Sequence, residues 1–369
     1  MIGELHETDK AAMSFEPTAE PVPAEERARL LIDPGFGRVF TDHMAMIEYN
    51  EKHGWHDARI TARQPFTLDP ASPVLHYAQE IFEGMKAYRR PNGGAALFRP
   101  DANARRFAKS AIRMAMPPLP EEMFVDSVRE LVRADREWIP ETEEGSLYLR
   151  PFMIANGSFL GMRPSTQFIY AVIGSSVGAY FKNSSPSVSL WVTREYVRAA
   201  PGGTGEAKCG GNYAGSLVAQ AEAIRQGCDQ VVFLDAVERR WVEELGGMNV
   251  FFVFDDGSLQ TPPLDGTILH GVTRDSLLRL ARDMGVDVRE ERYSIDQWKA
   301  DAESGRLTEA FACGTAAVVT PIGRVKEVNG EFSIGGQSSG PLTLRLRSAL
   351  VDIQRGAAPD PYGWIYPID

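Results

Sequence analysis

Strand-like alternation of apolar and polar residues recurs along the chain, with stretches of helical periodicity between the strands. In the first half, a helix is predicted from about 120 to 138, where apolar residues recur on one side. A strand ends at Arg99, and Asp101 is placed to cap the helix that follows, through Met114. Three strand-like runs come next, at 147–155, 167–177 and 187–193.

The second half has shorter strands, separated by helices and glycine turns. Asp256-Gly257 lies between two apolar runs, which is a strong hairpin signal and predicts antiparallel pairing. One helix is predicted to begin at Tyr213, and another opens directly after Gly271. The fold class is therefore predicted to be α/β of the α+β type, with antiparallel pairs that disfavour a purely parallel sheet.

Breaks in the pattern divide the chain into a leader and two domains. Residues 1–30 are rich in Glu, Pro and Ala and have little apolar periodicity, so they are predicted to be a mobile leader. A small α/β domain is expected over 31–177. Turn residues then predict an interdomain linker over 178–190. The larger C-terminal domain is expected over 191–369 and carries Lys208.

Charge and cysteine content limit the classes of partner. A formal net charge of -11 argues against a nucleic-acid or anionic-membrane surface, so an anionic ligand needs a local cluster of cations and backbone amides. The 3 cysteines are irregularly spaced, without a zinc or disulfide signature, which suits the cytoplasm. No apolar run reaches the roughly 18 residues of a membrane span, and the N-terminus lacks a signal-peptide pattern. No metal is expected.

Lys208 has the most unusual local environment in the sequence. It precedes a pair of glycines and the helix predicted from Tyr213. The glycines let the backbone approach a flat ligand closely, and the positive end of the helix favours a free amine over an ammonium. Such an amine can bond covalently to an aldehyde cofactor. The alternative is a surface lysine in a glycine turn, which these few residues alone would favour.

The helix after Gly271 is a candidate anion site. Its first backbone N–H groups, at Val272 and Thr273, have no partner within the helix and could face a phosphate. Most such helix starts bind nothing. Arg99 could add a guanidinium from its strand end, although a surface ion pair is an equal alternative for that residue.

Two further turns offer a hydroxyl, an amide and a carboxylate. Thr315 could bond a phosphate oxygen, while the N–H of Ala316 could face a carboxylate. Glu243 and Glu244 end a strand, and only one of them can point inward because successive strand residues face opposite sides. A half-buried carboxylate there needs a cation or a protonated ring nitrogen; a solvated strand end is the alternative.

With these residues assembled, the chain resembles the branched-chain amino acid aminotransferases, which are fold type IV pyridoxal-phosphate enzymes. The resemblance runs from about Phe36 to the last helix near Arg355. Its most specific motifs are Phe82-Glu-Gly-Met-Lys, Ser146-Leu-Tyr-Leu-Arg-Pro, Val177-Gly-Ala-Tyr-Phe, Lys208-Cys-Gly-Gly-Asn-Tyr and Cys313-Gly-Thr-Ala. It implies a two-domain enzyme with pyridoxal 5'-phosphate at the domain interface. The implied reaction is ping-pong transamination of L-leucine, L-isoleucine and L-valine with 2-oxoglutarate, in branched-chain amino acid biosynthesis or degradation, by a homodimer with a shared active site.

The same resemblance implies a role for each matching residue. Lys208 would carry the cofactor and shuttle a proton, Tyr213 would bond its phenolate oxygen, and Glu244 would pair with its ring nitrogen. Leu269 would pack against the ring. The phosphate would be held by Arg99, Gly271, Val272, Thr273 and Thr315. The substrate would lie among Phe36, Phe82, Tyr148, Arg150, Tyr180, Gly247, Thr315, Ala316 and the partner subunit's Tyr77.

Three rival functions remain open. A D-amino acid aminotransferase and an aminodeoxychorismate lyase share the same fold and cofactor. A non-catalytic phosphate-binding or scaffold protein is the rival from another class. Lys208, Tyr213 and Glu244 occurring together argue against the scaffold, because a scaffold has no use for this chemistry.

Overall fold

The computed structural model describes residues 13–142, 144–178, 187–336 and 339–369. The strands are β1 (Ser14–Phe15), β2 (Val39–Asn50), β3 (Gly54–Ala62), β4 (Glu80–Phe82), β5 (Met85–Arg89), β6 (Ala95–Phe98), β7 (Ser146–Ala155), β8 (Gln167–Val177), β9 (Val188–Thr193), β10 (Gln230–Leu234), β11 (Val242–Leu245), β12 (Asn249–Phe254), β13 (Leu259–Thr261), β14 (Val288–Glu290), β15 (Leu307–Gly314), β16 (Val318–Glu327), β17 (Gly330–Ser333) and β18 (Ile365–Ile368).

The helices are α1 (Ala24–Ile32), α2 (Pro73–Tyr77), α3 (Pro100–Arg113), α4 (Glu121–Ala134), α5 (Gly210–Ala214), α6 (Leu217–Arg225), α7 (Val272–Asp283), α8 (Ile295–Ser304) and α9 (Pro341–Arg355). The strands form two nine-stranded sheets. Together these elements confirm the mixed α/β fold. None of the helices in the described ranges is both long and apolar enough to span a membrane.

The first sheet has the strand order β1-β3-β2-β8-β7-β5-β6-β18, with β4 paired to β7. Helices α3 and α4 bury their apolar faces in its core, where Phe107 lies 5.4 Å from Phe124 and 5.5 Å from Tyr170 between ring centroids. The helical spacing of apolar residues in α4 is confirmed. That helix ends at Ala134 because a tighter turn, 136–138, follows and buries Trp138.

The helix predicted to be capped by Asp101 begins earlier. α3 starts at Pro100, and its N-cap is Arg99 in the left-handed conformation, with φ of 51°. Proline suits the first helical position because its fixed φ is already helical and its missing N–H is not needed there. Asp101 therefore lies in the first turn, where it pairs with Arg105 at 2.5 Å. The prediction of an Asp101 cap was wrong.

Part of the predicted leader is ordered into elements. β1 pairs with β3, and α1 occupies the end of the 1–30 segment. The N–H of Thr18 donates to Nε2 of His43 at 3.1 Å, and the N–H of Val22 donates to Oδ1 of Asp42 at 3.0 Å. Residues 14–22 are thus attached to β3 by strand pairing and to two side chains of β2 through backbone N–H groups, contacts that composition does not reveal.

The second sheet has the order β11-β10-β9-β16-β15-β12-β13-β14, with β17 paired to β16. β12 and β13 pair in antiparallel fashion around Asp256-Gly257, which confirms that hairpin. Helices α7 and α9 pack against each other and against β15. Parallel pairs also occur, as between β9 and β10.

The chain passes between the two sheets more than once. The first sheet's β8 ends at Val177 and the second sheet begins at Val188, while residues 179–186 of the predicted linker lie outside the described ranges. At the C-terminus, β18 returns to the first sheet and pairs with β6. Ile368 is thereby buried in the hydrophobic core of the first sheet, called the first core below. Segment 191–369 is therefore not confined to one sheet.

Candidate active site

A cavity of about 200 Å³ lies where the two sheets meet. Most of the residues predicted for the site line it. These are Phe36, Phe82, Tyr148, Arg150, Lys208, Tyr213, Glu244, Gly247, Leu269, Gly271, Val272, Thr273, Thr315 and Ala316. Arg106, Asn249 and Gly84 also line it, and the sequence reasoning had missed them.

The backbone of Lys208 is held by the first sheet, although its chain leads into the second. Its N–H donates to Oγ of Ser110 at 2.9 Å, and its carbonyl accepts the N–H of Phe82 at 3.0 Å. The neighbours Ala207 and Cys209 are buried in the first core. The lysine is therefore fixed on both sides by residues of α3 and β4.

The side chain of Lys208 points into the cavity. Its Nζ donates to the hydroxyl of Tyr213 at 2.8 Å and lies 4.8 Å from the ring centroid of Phe82. Tyr213 belongs to α5, which ends at Ala214; the prediction of one continuous helix from Tyr213 was wrong. The hydroxyl of Ser216 bonds the carbonyl of Asn212 at 2.9 Å at this break.

Glu244 lies on β11 at the opposite end of the cavity and is 2% exposed. Its Oε2 accepts the N–H of Leu269 at 3.0 Å and pairs with Nη2 of Arg198 at 2.9 Å. Glu243 faces the other side of the strand, where it accepts the hydroxyl of Thr267 at 2.7 Å and burial raises its pKa. Only Glu244 faces the cavity, as alternation along a strand requires.

The start of α7 forms the third part of the cavity. Gly271 is the N-cap and makes no side-chain cap, so the first N–H groups of the helix have no partner within it. A Cβ at Gly271 would collide with Oδ1 of Asn249, and Asn249 in turn donates to the carbonyl of Leu269 at 3.2 Å. The hydroxyl of Thr315 bonds the carbonyl of Gly84 at 3.1 Å across the sheets.

Arg99 does not reach the cavity. Its Nη1 pairs with Oδ2 of Asp275 at 2.6 Å and donates to Oγ of Ser276 at 2.8 Å, and its guanidinium lies 5.3 Å from the Trp364 ring. It lines a separate surface cleft with Tyr362. As the N-cap of α3, Arg99 leaves the strand in a left-handed turn that directs it to the outer side of α7. Its predicted place at a phosphate is corrected by this geometry.

Arg106 is the guanidinium that lines this part of the cavity. It forms two hydrogen bonds of 2.7 Å to Glu83 and one of 2.9 Å to the carbonyl of His270. Burial alone would raise the pKa of Glu83, but Arg106, with smaller contributions from Lys208 and Asn103, outweighs burial and lowers it. The sequence reasoning missed Arg106, although one signal could have found it: it is a charged residue on the apolar face of an amphipathic helix.

Aromatic rings and one arginine form the side of the cavity that belongs to the first sheet. Nη2 of Arg150 donates to the hydroxyl of Tyr148 at 3.1 Å, and its guanidinium lies 4.7 Å from the centroid of Phe82. Phe36 meets Tyr148 edge to face at 5.1 Å. Phe82 also contacts Tyr213, at 4.9 Å between centroids.

Two predicted substrate contacts lie elsewhere. Tyr77 is 42% exposed and donates its hydroxyl to the carbonyl of Leu160, so it does not line the cavity of its own chain. Tyr180 lies outside the described residues. Among the residues that the structure describes, no group of three or more His, Cys, Asp or Glu side chains could hold a metal ion.

Comparisons with known proteins agree with this arrangement. The family model for amino-transferase class IV matches residues 80–325. A probable branched-chain-amino-acid aminotransferase of Streptomyces coelicolor is 54% identical over 96% of this chain and 98% of that protein. A branched-chain-amino-acid aminotransferase of Mycobacterium tuberculosis is 53% identical over 94% of this chain and 95% of that protein.

Solved structures show the same likeness. The branched-chain amino acid aminotransferase of Escherichia coli has a TM-score of 0.71 and 28% identity, covering 88% of this chain and 98% of that one. The enzyme from Thermobaculum terrenum, described in its PLP-bound holo-form, has a TM-score of 0.71 and 26% identity, covering 89% and 98%. This chain therefore belongs to the class IV aminotransferases, within the branched-chain-amino-acid aminotransferase family.

Proposed function

We propose that this enzyme transfers the amino group of L-leucine, L-isoleucine or L-valine to 2-oxoglutarate with pyridoxal 5'-phosphate as its cofactor. The observation that supports this most directly is the position of the Lys208 amine, which shares one cavity with the buried carboxylate of Glu244 and the open start of α7. Related enzymes described with pyridoxamine 5'-phosphate and with a phosphopyridoxyl-glutamate adduct support the choice of cofactor.

The donor groups of the cavity fit this cofactor. A phosphate dianion needs N–H and hydroxyl donors, and the start of α7 with Arg106 supplies N–H groups. The Thr315 hydroxyl would join them by turning its hydrogen from the carbonyl of Gly84 to the phosphate. Arg106 uses three of its five N–H donors on protein groups, which leaves two for a ligand. At the other end, Glu244 suits a protonated ring nitrogen. Leu269 would pack on the ring, and Gly271 would present its backbone to the phosphate where a Cβ would collide with Oδ1 of Asn249.

When bound, this cofactor supplies an electron sink that stabilises negative charge at the substrate Cα. Lys208 would hold the cofactor covalently and then, as a free amine, move the proton at that carbon. The Tyr213 hydroxyl, 2.8 Å from the Lys208 Nζ, would keep that amine oriented. Glu244, itself held by Arg198 and by the N–H of Leu269, would maintain the charge of the ring nitrogen.

The cavity also suits two different side chains. An aliphatic side chain would pack against Phe36, Phe82 and Tyr148, whereas the distal carboxylate of glutamate would meet Arg150 at their edge. The Thr315-Ala316 turn and the backbone of Gly247 would receive the α-carboxylate. Lys86 supports this turn, because its Nζ donates to the carbonyl of Ala316 at 3.0 Å.

We also propose that the enzyme is a cytoplasmic homodimer. Three buried, unpaired cysteines suit a reducing compartment. The exposed Tyr77 is the residue we expect to complete the partner's cavity. Light scattering tests the dimer, and the loss of substrate affinity in Tyr77→Ala tests the shared cavity.

The experiment that tests the function is an assay of purified protein against L-leucine, L-valine and L-isoleucine with 2-oxoglutarate. We expect turnover with all three, no turnover with D-alanine or aminodeoxychorismate, and a visible absorbance that borohydride bleaches. Lys208→Ala should lose this absorbance and lower kcat by more than about ten-thousandfold. A colourless wild-type protein, or full activity in the variant, would refute the proposal.

A further inference from the structure

Glu80 does not line the cavity, but its carboxylate bonds the loop that carries Lys208 and is within electrostatic reach of Arg150. It is the first residue of β4, which pairs with β7, and it is half-buried. Burial is the largest influence on its carboxyl and raises its pKa, while the Gly210 N–H and the charge of Arg150 act in the opposite direction. The Glu80 carboxylate can therefore both hold the backbone at Gly210 and offset the charge of Arg150.

The first neighbour is the loop that carries Lys208. Oε1 of Glu80 accepts a short hydrogen bond from the N–H of Gly210, the first residue of α5. Cys209, the N-cap of that helix, makes no side-chain cap, so Glu80 caps it from another strand. A Cβ at Gly210 would collide with the Glu80 carboxylate. The close approach of the Glu80 carboxylate therefore requires a glycine at position 210.

The second neighbour is Arg150, on β7. Its guanidinium stacks over Phe82 and donates to the Tyr148 hydroxyl, while its Nε is buried without a hydrogen-bond partner among the described residues. An uncompensated guanidinium in an aromatic cavity strongly attracts any anionic side chain. The carboxylate of Glu80 moderates this attraction, because its charge and that of Arg150 act on each other.

We propose that Glu80 is a positioning and specificity residue, which caps the Lys208 loop through Gly210 and balances the charge of Arg150, so that one cavity accepts aliphatic and anionic side chains in turn. This inference rests on the proposed function, because it takes Arg150 as the contact for the distal carboxylate. It concerns Glu80 itself, which does not line the cavity and is not a catalytic residue.

Glu80→Gln separates the two roles, because glutamine keeps an oxygen for the Gly210 N–H and removes the charge. We expect the KM for 2-oxoglutarate to fall about threefold to tenfold. The KM for 4-methyl-2-oxopentanoate, the 2-oxo acid of leucine, should stay within about twofold, since its side chain carries no charge. Glu51→Gln in the exposed turn after β2 is the control for a lost surface charge and should change neither constant.

Glu80→Ala removes the cap as well, so we expect it to lower kcat for both substrates by about tenfold or more. A double-mutant cycle on the melting temperature examines the contact without any turnover. Gly210→Ala should lower the melting temperature in the wild-type background and much less in Glu80→Ala, because the colliding carboxylate is then absent.

The outcomes separate this inference from the proposed function. If the wild-type enzyme does not transaminate branched-chain substrates, the proposed function fails, and the melting-temperature cycle still decides the capping role. If the wild type is active but Glu80→Gln shifts both KM values together, or neither, the charge-balancing role is overturned. If Gly210→Ala lowers the melting temperature equally in the wild-type and Glu80→Ala backgrounds, the capping contact between Glu80 and Gly210 is overturned.

Discussion

The cavity has two walls that are built in different ways. The first wall, from the first sheet, consists of the side chains of Phe36, Phe82, Tyr148 and Arg150. The second wall, from the second sheet, consists of Glu244 and of turns that present backbone groups, at the start of α7 and at Thr315. Side chains of a wall can be exchanged one by one, whereas backbone groups cannot. The first wall therefore suits substrate selection, and the second suits a constant ligand.

The largest effect is expected where the two walls are connected. Glu83 follows Phe82 of the first wall and pairs with Arg106, which bonds the carbonyl of His270 just before α7. Glu83→Ala leaves a buried guanidinium without its partner, so we expect the free energy of unfolding to fall by about 3–5 kcal/mol. Chemical denaturation measures this change. Glu130→Ala removes a partly exposed Arg–Glu pair with Arg133 and should cost less than about 1 kcal/mol. Equal losses of unfolding free energy in the two variants would contradict a structural role of the Glu83–Arg106 pair between the walls.

Lys86 offers a second test, through pH. Burial, with Arg355 and Arg347 nearby, lowers the pKa of Lys86 from 10.5 to about 8. The folded protein thus binds this proton less tightly than the unfolded chain does, so stability should rise as pH increases from about 8 to about 10.5 and stay level below that window. Across this pH window, the free energy of unfolding of the wild type should rise relative to that of Lys86→Met by about 3 kcal/mol. Lys52→Met, in an exposed turn, should show no such rise.

The second wall contains one side chain whose charge matters. Glu244→Gln keeps the acceptor for the Leu269 N–H but removes the charge, and we expect kcat to fall about a hundredfold with the protein still folded. Steady-state kinetics and circular dichroism measure the two properties. Glu243→Gln changes the adjacent buried glutamate on the other face of β11, and we expect less than about a threefold loss. Matching losses in the two variants would remove the distinction between the faces.

The smallest effect is expected in the first wall. Tyr148→Phe removes the hydroxyl that accepts from Arg150, and the net value of one such hydrogen bond predicts about a fivefold rise in the KM for 2-oxoglutarate. The KM for L-leucine should change less, because an aliphatic side chain makes no use of the guanidinium. A change confined to L-leucine would assign Tyr148 a packing role only.

The elements with strong local signals were predictable from sequence. α7 after Gly271, the hairpin at Asp256-Gly257 and the inward position of only one residue of the Glu243-Glu244 pair each follow from a short pattern. The break between α5 and α6 was not, because Ser216 bonds back to the helix only in the folded loop.

The arginine of the site shows why long-range contacts escape this reasoning. Arg99 and Arg106 lie seven residues apart, and both occupy plausible positions near a strand end or a helix face. Arg99 has a left-handed backbone conformation and its guanidinium bonds Ser276 of α7, whereas Arg106 faces the cavity, and neither contact has a local sequence signal. Similarly, the pairing of β18 with β6 joins distant parts of the chain, and its sequence contains no signal for the partner.

The placement of Lys208 also bears on how activity is regained after denaturation. Its flanking residues are buried in the first core, while the carboxylate and the helix start that face its amine belong to the second sheet. Neither half alone can present a functional amine. We expect catalytic activity and cofactor colour to return together, when the halves dock, and later than secondary structure. Refolding followed by circular dichroism, by cofactor absorbance and by activity would time this docking step.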